Sequence, residues 1–503
     1  MYGFVDLTTG SVAKSTSFSI QTVFNGTNLD QQLSDETGSF VTLTIEGRGN
    51  VKQRIESTEV PGMDGALEYT STTYDVREIA VKYKLSDRTN EGFRSRVNRL
   101  NSLLRGSKRQ LRFTDEDAFY YATLSENTIP EEESNDLIGT LTFICSDPFK
   151  YGKEHILHFE SDVITVTNKG TAEVKPVIEM EVLGDPLTLS PFVMVQNQEE
   201  QYMLIGEALD VESSTPYQKY ERVMYSDANA LTGWTTAATG EVDGLIAGKM
   251  EAVKDRFQAA SYGSGSGWHG PAVKQSLPEA LQDFRLNTWI TLDNSGQTVG
   301  RIELYLLDVN GNQVAKVAMK DVRRGERLGY GEARVGGALA NHFLISEYGD
   351  RKGSWNNFAG ILRIEREGNM WSAFFGKGNA KNGYHTRRFA YWRDTRNKYN
   401  IPVAQVVVHM GQYGKNKPCT GGVYSISVEK INQVDQGTPV IVRTGDFIKF
   451  DTRAEEITIN GEPRTDIVDF GTEYFGLKPG DNQLVIMPND SFKTTIKYRD
   501  TFR

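Results

Sequence analysis

Between Gly383 and Tyr399 the chain reads GYHTRRFAYWRDTRNKY, in which Tyr384, His385, Tyr391 and Trp392 interleave with Arg387, Arg388, Arg393 and Arg396. Aromatic faces stack on the C–H faces of sugar rings, while guanidinium groups grip hydroxyls or anionic substituents through charge-assisted bonds. These residue types suit recognition of a glycan, including a phosphate-bearing wall polymer. A two-faced strand gives the same alternation with tryptophan turned inward and arginine outward, so the pattern carries both readings. Trp234, Trp268 and Trp355 sit among Gly, Ser, Thr and Asn, a loop context that predicts exposure. Trp289 and Trp371 lie within alternating strands and are expected in a core. The candidate carbohydrate contacts are therefore Trp234, Trp268, His269, Trp355, Tyr384, Arg388, Tyr391, Trp392 and Arg393.

Catalytic signatures are sparse. The six histidines form no HExxH, and neither a GxSxG elbow nor a phosphate-cradling P-loop occurs. A glycosidase needs only two facing carboxylates, for which Asp308, Glu365 and Glu367 are the strand-borne candidates, against the plainer reading of solvated strand faces. The run DVNGN can offer Asp308 and Asn310 to calcium, although a hairpin turn explains it equally well. No cofactor and no catalytic residue is assigned. Cys145 and Cys419 are far apart and read as buried free thiols.

These residues must be carried by strands. All six tryptophans fall between Glu221 and Lys430, a stretch with 27 Lys+Arg against 20 Asp+Glu, whereas the remainder has 29 against 46. Such a contrast predicts a guest module set into an acidic host. A chain of 503 residues with 48 glycines and 38% hydrophobic residues should divide into about three domains. No apolar run is long enough to span a membrane, and MYGFVDLTTG lacks the features of a signal peptide. The net charge of −10 disfavours general nucleic-acid binding.

Period-two alternation marks strands in SFSIQTVFNG, FVTLTIEGRG and TYDVREIAVKYKL, with EVPGMDGALEYT between the last two as either an extended hairpin arm or a connection. One helix is expected over about Asn90–Leu104, with Phe93, Val97, Leu100 and Leu104 on one stripe and Gly106 as its stop. Its Arg94, Arg96, Arg99 and Arg105 are read as solvated, or as facing an acidic neighbour. Within 221–432 strands recur every 10–15 residues, which predicts a jelly-roll sandwich.

In order and spacing, Arg54, Pro61-Gly62-Met63-Asp64-Gly65, Leu100 to Leu104, Phe113 to Leu124 and Phe143 to Tyr151 together resemble the N-terminal domain of the siphovirus distal tail proteins. Gly445-Asp446, Asp451, Ile457, Ile459-Asn460-Gly461, Phe475, Leu477, Pro479-Gly480 and Asn482 resemble the close of that family's C-terminal domain. More loosely, GWHG and MWSAFFG resemble the carbohydrate-binding insertions of enlarged members. The resemblance implies a mainly β protein. Its parts would be a ring-forming domain over 1–155 with one helix, a galectin-like sandwich split into 156–220 and 433–503, and an inserted sandwich over 221–432. It further implies a non-enzymatic virion protein at the tail tip, made in the host cytoplasm. The expected partners are further copies in a hexameric ring, the tail tube protein, a tail-tip or receptor-binding protein and a host wall glycan, with DNA passing through the lumen unread. The alternatives are a wall-degrading glycosidase, or an insert that only docks receptor-binding proteins.

Overall fold

The computed structural model describes residues 20–49, 52–69, 73–183, 191–207, 215–434 and 437–503. It is mainly β, as the alternation predicts, with two short α-helices among the described residues. Because successive strand residues face opposite ways, each alternating run buries one face. Arg77–Asp87 does so with Ile79, Val81, Tyr83 and Leu85, which are at most 1% exposed. This strand pairs with Gly38–Glu46 on one side and Asp136–Cys145 on the other, the latter continuing to Phe119–Thr128. Gln53–Arg54 pairs with Thr73–Tyr74, and Ser57–Thr58 with Leu67–Glu68. The Pro-Gly and Asp-Gly turns thus tip an extended arm, with Ile55, Met63, Leu67 and Tyr69 exposed along it.

The helix spans Asn90–Leu103, capped by Thr89, whose hydroxyl accepts from Gly92 N at 3.0 Å. It buries Phe93 and Leu100 against the sheet. One of its arginines is not solvated: Arg96 is 7% exposed and donates to Asp35 at 2.9 Å, Asp87 at 2.8 Å and Leu33 O at 2.5 Å. The Arg96 guanidinium holds the Asp35 carboxyl below the usual range, and the Thr89 amide followed by Arg96 does the same for Asp87. Depressed acids stabilise the fold above their unfolded pKa, near 3.9, and lose that contribution as pH falls through their folded values. Asp87→Asn should therefore speed amide exchange of the helix at pH 7, with the difference from wild type shrinking below about pH 4. A pH-independent difference would show that the carboxylate charge is not what matters.

A second core joins residues from both ends of the chain. Lys150–His158, Phe492–Phe502, Val177–Val182 and Phe447–Asp451 form one sheet, and Val163–Asn168, Gly480–Met487, Phe192–Asn197 and Tyr202–Gly206 the other. Between them lie Val166, Ile178, Val195, Ile448, Phe450, Leu484 and Ile496. Thr215–Tyr217 and Gly437–Pro439 run parallel and paired, so the intervening chain leaves and returns side by side.

That intervening chain is a sandwich of two large sheets around its own core. The first runs Lys249–Val253, Arg256–Ser261, Thr420–Ile431, Phe284–Asp293, Phe358–Glu367, Met370–Asn379 and Gly383–Arg393. The second runs Ala272–Leu281, Val403–Tyr413, Gly300–Leu307, Gln313–Asp321, Tyr330–Gly336 and Asn341–Glu347. Phe284, Leu362 and Trp371 from the first meet Leu304, Val317 and Val408 from the second.

Both cysteines are free and buried, and burial pushes the thiols up to about 12 for Cys145 and about 11 for Cys419. Among the described residues no helix is long and apolar enough to cross a membrane.

Candidate functional site

The outer face of the first sheet is turned to the C-terminal sandwich. Arg363 pairs with Glu462, Arg387 with Glu456 at 2.9 Å, and the Asn460–Gly461 turn abuts Gly383, where a Cβ on Gly461 would come within 2.8 Å of the Gly383 Cα. Arg285 lies 3.4 Å over the Tyr220 ring while pairing with Glu365 at 2.6 Å.

The arginine–aromatic stretch forms the edge strand of this sheet, Gly383–Arg393, and its side chains part company. Tyr384 lies in the seam, its amide donating to Gly461 O at 3.4 Å and its hydroxyl pushed up to about 12 by burial. Trp392 turns toward the core, stacked on His342 with centroids 3.9 Å apart. Arg388 pairs with Glu347 at 2.8 Å, Arg393 lies against Met370 Sδ, and Tyr391 is 69% exposed. The alternation carried two readings, and the pleat gathers no single surface: it turns Trp392 inward and distributes the other side chains between seam and solvent.

The loop-context tryptophans also divide. Trp355 is fully buried, which corrects the expectation of exposure: its indole donates to Thr386 O at 3.0 Å and packs beside Phe358 and Phe375. The neighbouring glycines make room for it, since a Cβ at Gly331 would sit 2.4 Å from the indole. Trp234 is half-buried, edge-on to Phe257. His269 is 1% exposed, its Nδ1 donating to Gly267 O, so it is not a surface contact. Trp371 is in the core as expected, but Trp289 is half-buried on the opposite face of its sheet, its indole donating to Gly378 O. The candidate acids are engaged as well: Glu365 with Arg285, Glu367 with Lys219 at 2.9 Å, and Asp308 with the amides of Asn310 and Asn312 in its own turn.

The second sheet presents its outer face on the side away from the seam, and there register assembles a groove. Gly411, Arg301, Lys320 and Tyr330 are direct neighbours on four adjacent strands, and opposed residues share a face. Trp268 lies over Arg301, 4.5 Å from ring centroid to guanidinium carbon, with Tyr413 edge-on to it. At the other end Tyr330 meets Tyr348 edge-on at 5.0 Å, and the Lys320 ammonium lies 5.0 Å from the Tyr330 ring. The row thus holds two cations, Arg301 buried beneath Trp268 and bonded to Asp243 O, and Lys320 half-buried, with aromatic pairs flanking them roughly two inter-strand spacings, or 10 Å, apart. Without a side chain on Gly411 there is space for Arg301, because a Cβ there would fall 2.7 Å from its Nε.

The next two rows hold a buried charge network. Lys316 forms ion pairs with Glu303 at 2.8 Å and Glu332 at 2.9 Å and donates to Asp243 at 3.1 Å. Glu303 also takes His409 Nδ1 and the Tyr305 hydroxyl at 2.8 Å each, and pairs with Arg301 at 3.1 Å. Segment 237–246 caps these rows: Val242 and Ala237 pack on Tyr305, Leu307 and Val407, and Asp243 reaches Arg334 at 2.8 Å. Burial would raise the Glu303 carboxyl, but Arg301, Lys316 and His409 outweigh it and hold the group well below its ordinary value. Lys316 and Lys320 likewise overcome burial at Glu332. Sequence reasoning passed over Arg301, Lys320, Tyr330, Tyr348 and Tyr413, whose only local signal is alternation on strands. Of the predicted contacts, only Trp268 belongs to this groove.

Two family models match: a phage tail protein RIFT-related domain over residues 31–145 and a siphovirus-type tail component C-terminal domain over 426–502. The distal tail protein of Bacillus phage SPP1 is 30% identical over 147 residues, which cover 29% of this chain and 58% of that protein. The chain therefore spans less than two thirds of the curated relative it matches. The two ends of the chain thus match a phage tail domain and the C-terminal domain of a siphovirus-type tail component, and over the matched part the chain is similar to a distal tail protein. The crystal structure of the SPP1 protein aligns at 23% identity over 38% of this chain and 75% of its own, with a TM-score of 0.32. The CBM2 module of the evolved Dit of Lactobacillus casei BL23 phage J-1 aligns at 17% identity over 43% of this chain and 98% of its own, with a TM-score of 0.38.

Proposed function

We propose that this protein is a structural hub at the tip of a phage tail whose inserted sandwich holds a host cell-surface glycan without cleaving it. On this reading residues 1–155 form a hexameric ring with other copies, between the tube protein and the tail-tip or receptor-binding protein. Residues 156–220 and 433–503 form the split sandwich, and 221–432 are the glycan module. The acidic host part suits a lumen through which DNA passes without being held.

The observation that carries the glycan reading is the row Arg301–Lys320–Tyr330. It is flanked by Trp268 and Tyr348 and lies on the face opposite the seam. Stacking faces beside hydrogen-bond donors are what a sugar ring requires. Hydrolysis would need a protonated carboxyl, and the two acids nearest the groove, Glu303 and Glu332, are held ionised by their cations. The reading needs no cofactor. A ring would present several weak sites at once and raise avidity by roughly 10² to 10⁴.

The test is retention of the full chain on purified host wall glycan. Saturable binding is expected with no release of reducing ends, and Trp268→Ala combined with Tyr330→Ala should weaken single-site binding at least ~10-fold, about 1.4 kcal/mol. Release of reducing ends would favour the glycosidase alternative. Absence of binding by the wild type would leave the insert as a docking domain for receptor-binding proteins.

A further inference from the structure

Beside the Tyr330–Tyr348 wall the chain continues into the loop 349–354, which faces the hairpin formed by Met370–Asn379 and Gly383–Arg393. Between them is an open depression of about 760 Å³ lined by Asp350, Arg351, Lys352, Ser354, Lys377 and His385. Three cations face one carboxylate there, an excess of two positive charges. The lysine on its floor is unlike the other partly buried lysines of this sandwich. Lys274, Lys316, Lys320 and Lys430 are each at least partly buried, and each bonds to a carboxylate. Lys377 is also partly buried, but its ammonium donates only to main-chain oxygens, Asn356 O at 2.9 Å and Ser354 O at 3.4 Å. No carboxylate lies within ion-pair distance of it among the described residues. Burial, and then the nearby Arg327, press it below the usual lysine range, as expected for a cation lacking a counter-charge.

Arg351 is exposed at the rim and likewise has no ion pair among the described residues, and Lys352 shares Glu326 at 3.4 Å in an exposed pair of little strength. The donors needed for an oxyanion are thus in place: a rim guanidinium with paired N–H groups, a floor ammonium and the Ser354 hydroxyl. The Arg351 amide already bonds Ser354 Oγ at 3.3 Å, which fixes that hydroxyl at the mouth. Trp355, fully buried directly after this loop, anchors it through Thr386 O, so the loop ends are held by the core.

We infer that this depression is an anion-binding subsite, taking the phosphate or carboxylate group of a ligand between Arg351 and Lys377. It is separate from the aromatic groove, and its occupancy does not depend on the groove holding sugar.

The experiment titrates inorganic phosphate, and in a parallel arm glucuronate, into the full-length protein by calorimetry at constant ionic strength. Saturable binding of at least one probe is expected, weakened tenfold or more by Arg351→Gln and by Lys377→Gln, and unchanged by Lys415→Gln, an exposed lysine elsewhere on the module. Arg351→Gln removes a surface side chain with no ion pair, so its fold is not at issue; the melting temperature checks Lys377→Gln. Phosphate bound in preference to glucuronate identifies a phosphate site, and the reverse a carboxylate site. The Trp268→Ala, Tyr330→Ala double variant should keep phosphate binding, which separates this site from the groove. Binding of neither probe, or binding untouched by both Arg351→Gln and Lys377→Gln, overturns the proposal.

Discussion

Replacing Lys316 by alanine should destabilise the inserted sandwich by about 3–5 kcal/mol, the usual consequence of removing one partner from a buried ion cluster. Lys316 is 2% exposed and is the cation that Glu303, Glu332 and Asp243 share as ion-pair partners. Without it Glu303, which is fully buried, keeps Arg301 and His409 but loses a cation, and Glu332 retains only Lys320 as a close partner. The tryptophans make the measurement selective. All six lie in this sandwich, so denaturant melts followed by tryptophan fluorescence report on it, while exchange of the Asn90–Leu103 amides reports on the N-terminal core. The fluorescence transition should move and the helix exchange should not. Lys316→Met keeps most of the stem and removes the charge, and should cost nearly as much. If Lys316→Met melted with the wild type, the stem rather than the charge would be the stabilising part, and the account of the network would fail.

The second large effect is expected at Arg366, which is fully buried yet has no carboxylate partner among the described residues. Its guanidinium donates to Gln282 O at 2.7 Å, Tyr399 O at 3.0 Å and Ile401 O at 2.8 Å, and lies between Phe284 and Trp371 at 5.2 and 5.3 Å from their centroids. Burial holds it below the ordinary arginine range, consistent with an ion whose only acceptors are carbonyls. Arg366→Met fills much of the volume but leaves three buried carbonyls unpaired, at about 1–3 kcal/mol each where water cannot reach them. A loss of roughly 3 kcal/mol or more is expected, again read by tryptophan fluorescence. Arg366→Lys should recover only part of it, since one ammonium cannot reproduce the planar fork. Full stability of Arg366→Met would mean that water replaces the guanidinium and that the backbone at Gln282 and at 399–401 does not depend on it.

The two arginines that most affect packing show where sequence reading stops. Arg96 lies in a helix whose apolar stripe was legible, and from spacing alone its side chain looked like one of several on the other faces. It became a buried clamp because Asp35 and Asp87, on other elements, converge on it. Arg366 follows Ile364 on the inward side of an alternating strand, a position that the pattern reserves for an apolar residue. Its burial depends on carbonyls more than thirty residues away in the chain. Trp355 erred in the opposite sense: glycine and polar neighbours suggested a loop in solvent, but the indole turns inward, where Gly331, on the strand Tyr330–Gly336, and Gly349 leave it space.

What the sequence determined by itself was local in cause. Period-two alternation, turn dipeptides and one apolar stripe depend on neighbours a few residues apart, and they specified a mainly β protein with its principal helix at Asn90. The ordered motifs at the two ends carry the resemblance to the distal tail proteins. The groove was different. Arg301, Lys320 and Tyr330 are separated by turns, Gly411 lies about a hundred residues beyond Arg301, and Trp268 arrives from another strand. Nothing local ties these positions together. A shift of one residue in any of these pairings would send the side chains of that strand to the opposite face, so only the tertiary register, set by the apolar faces meeting in the core, decides that they form one surface.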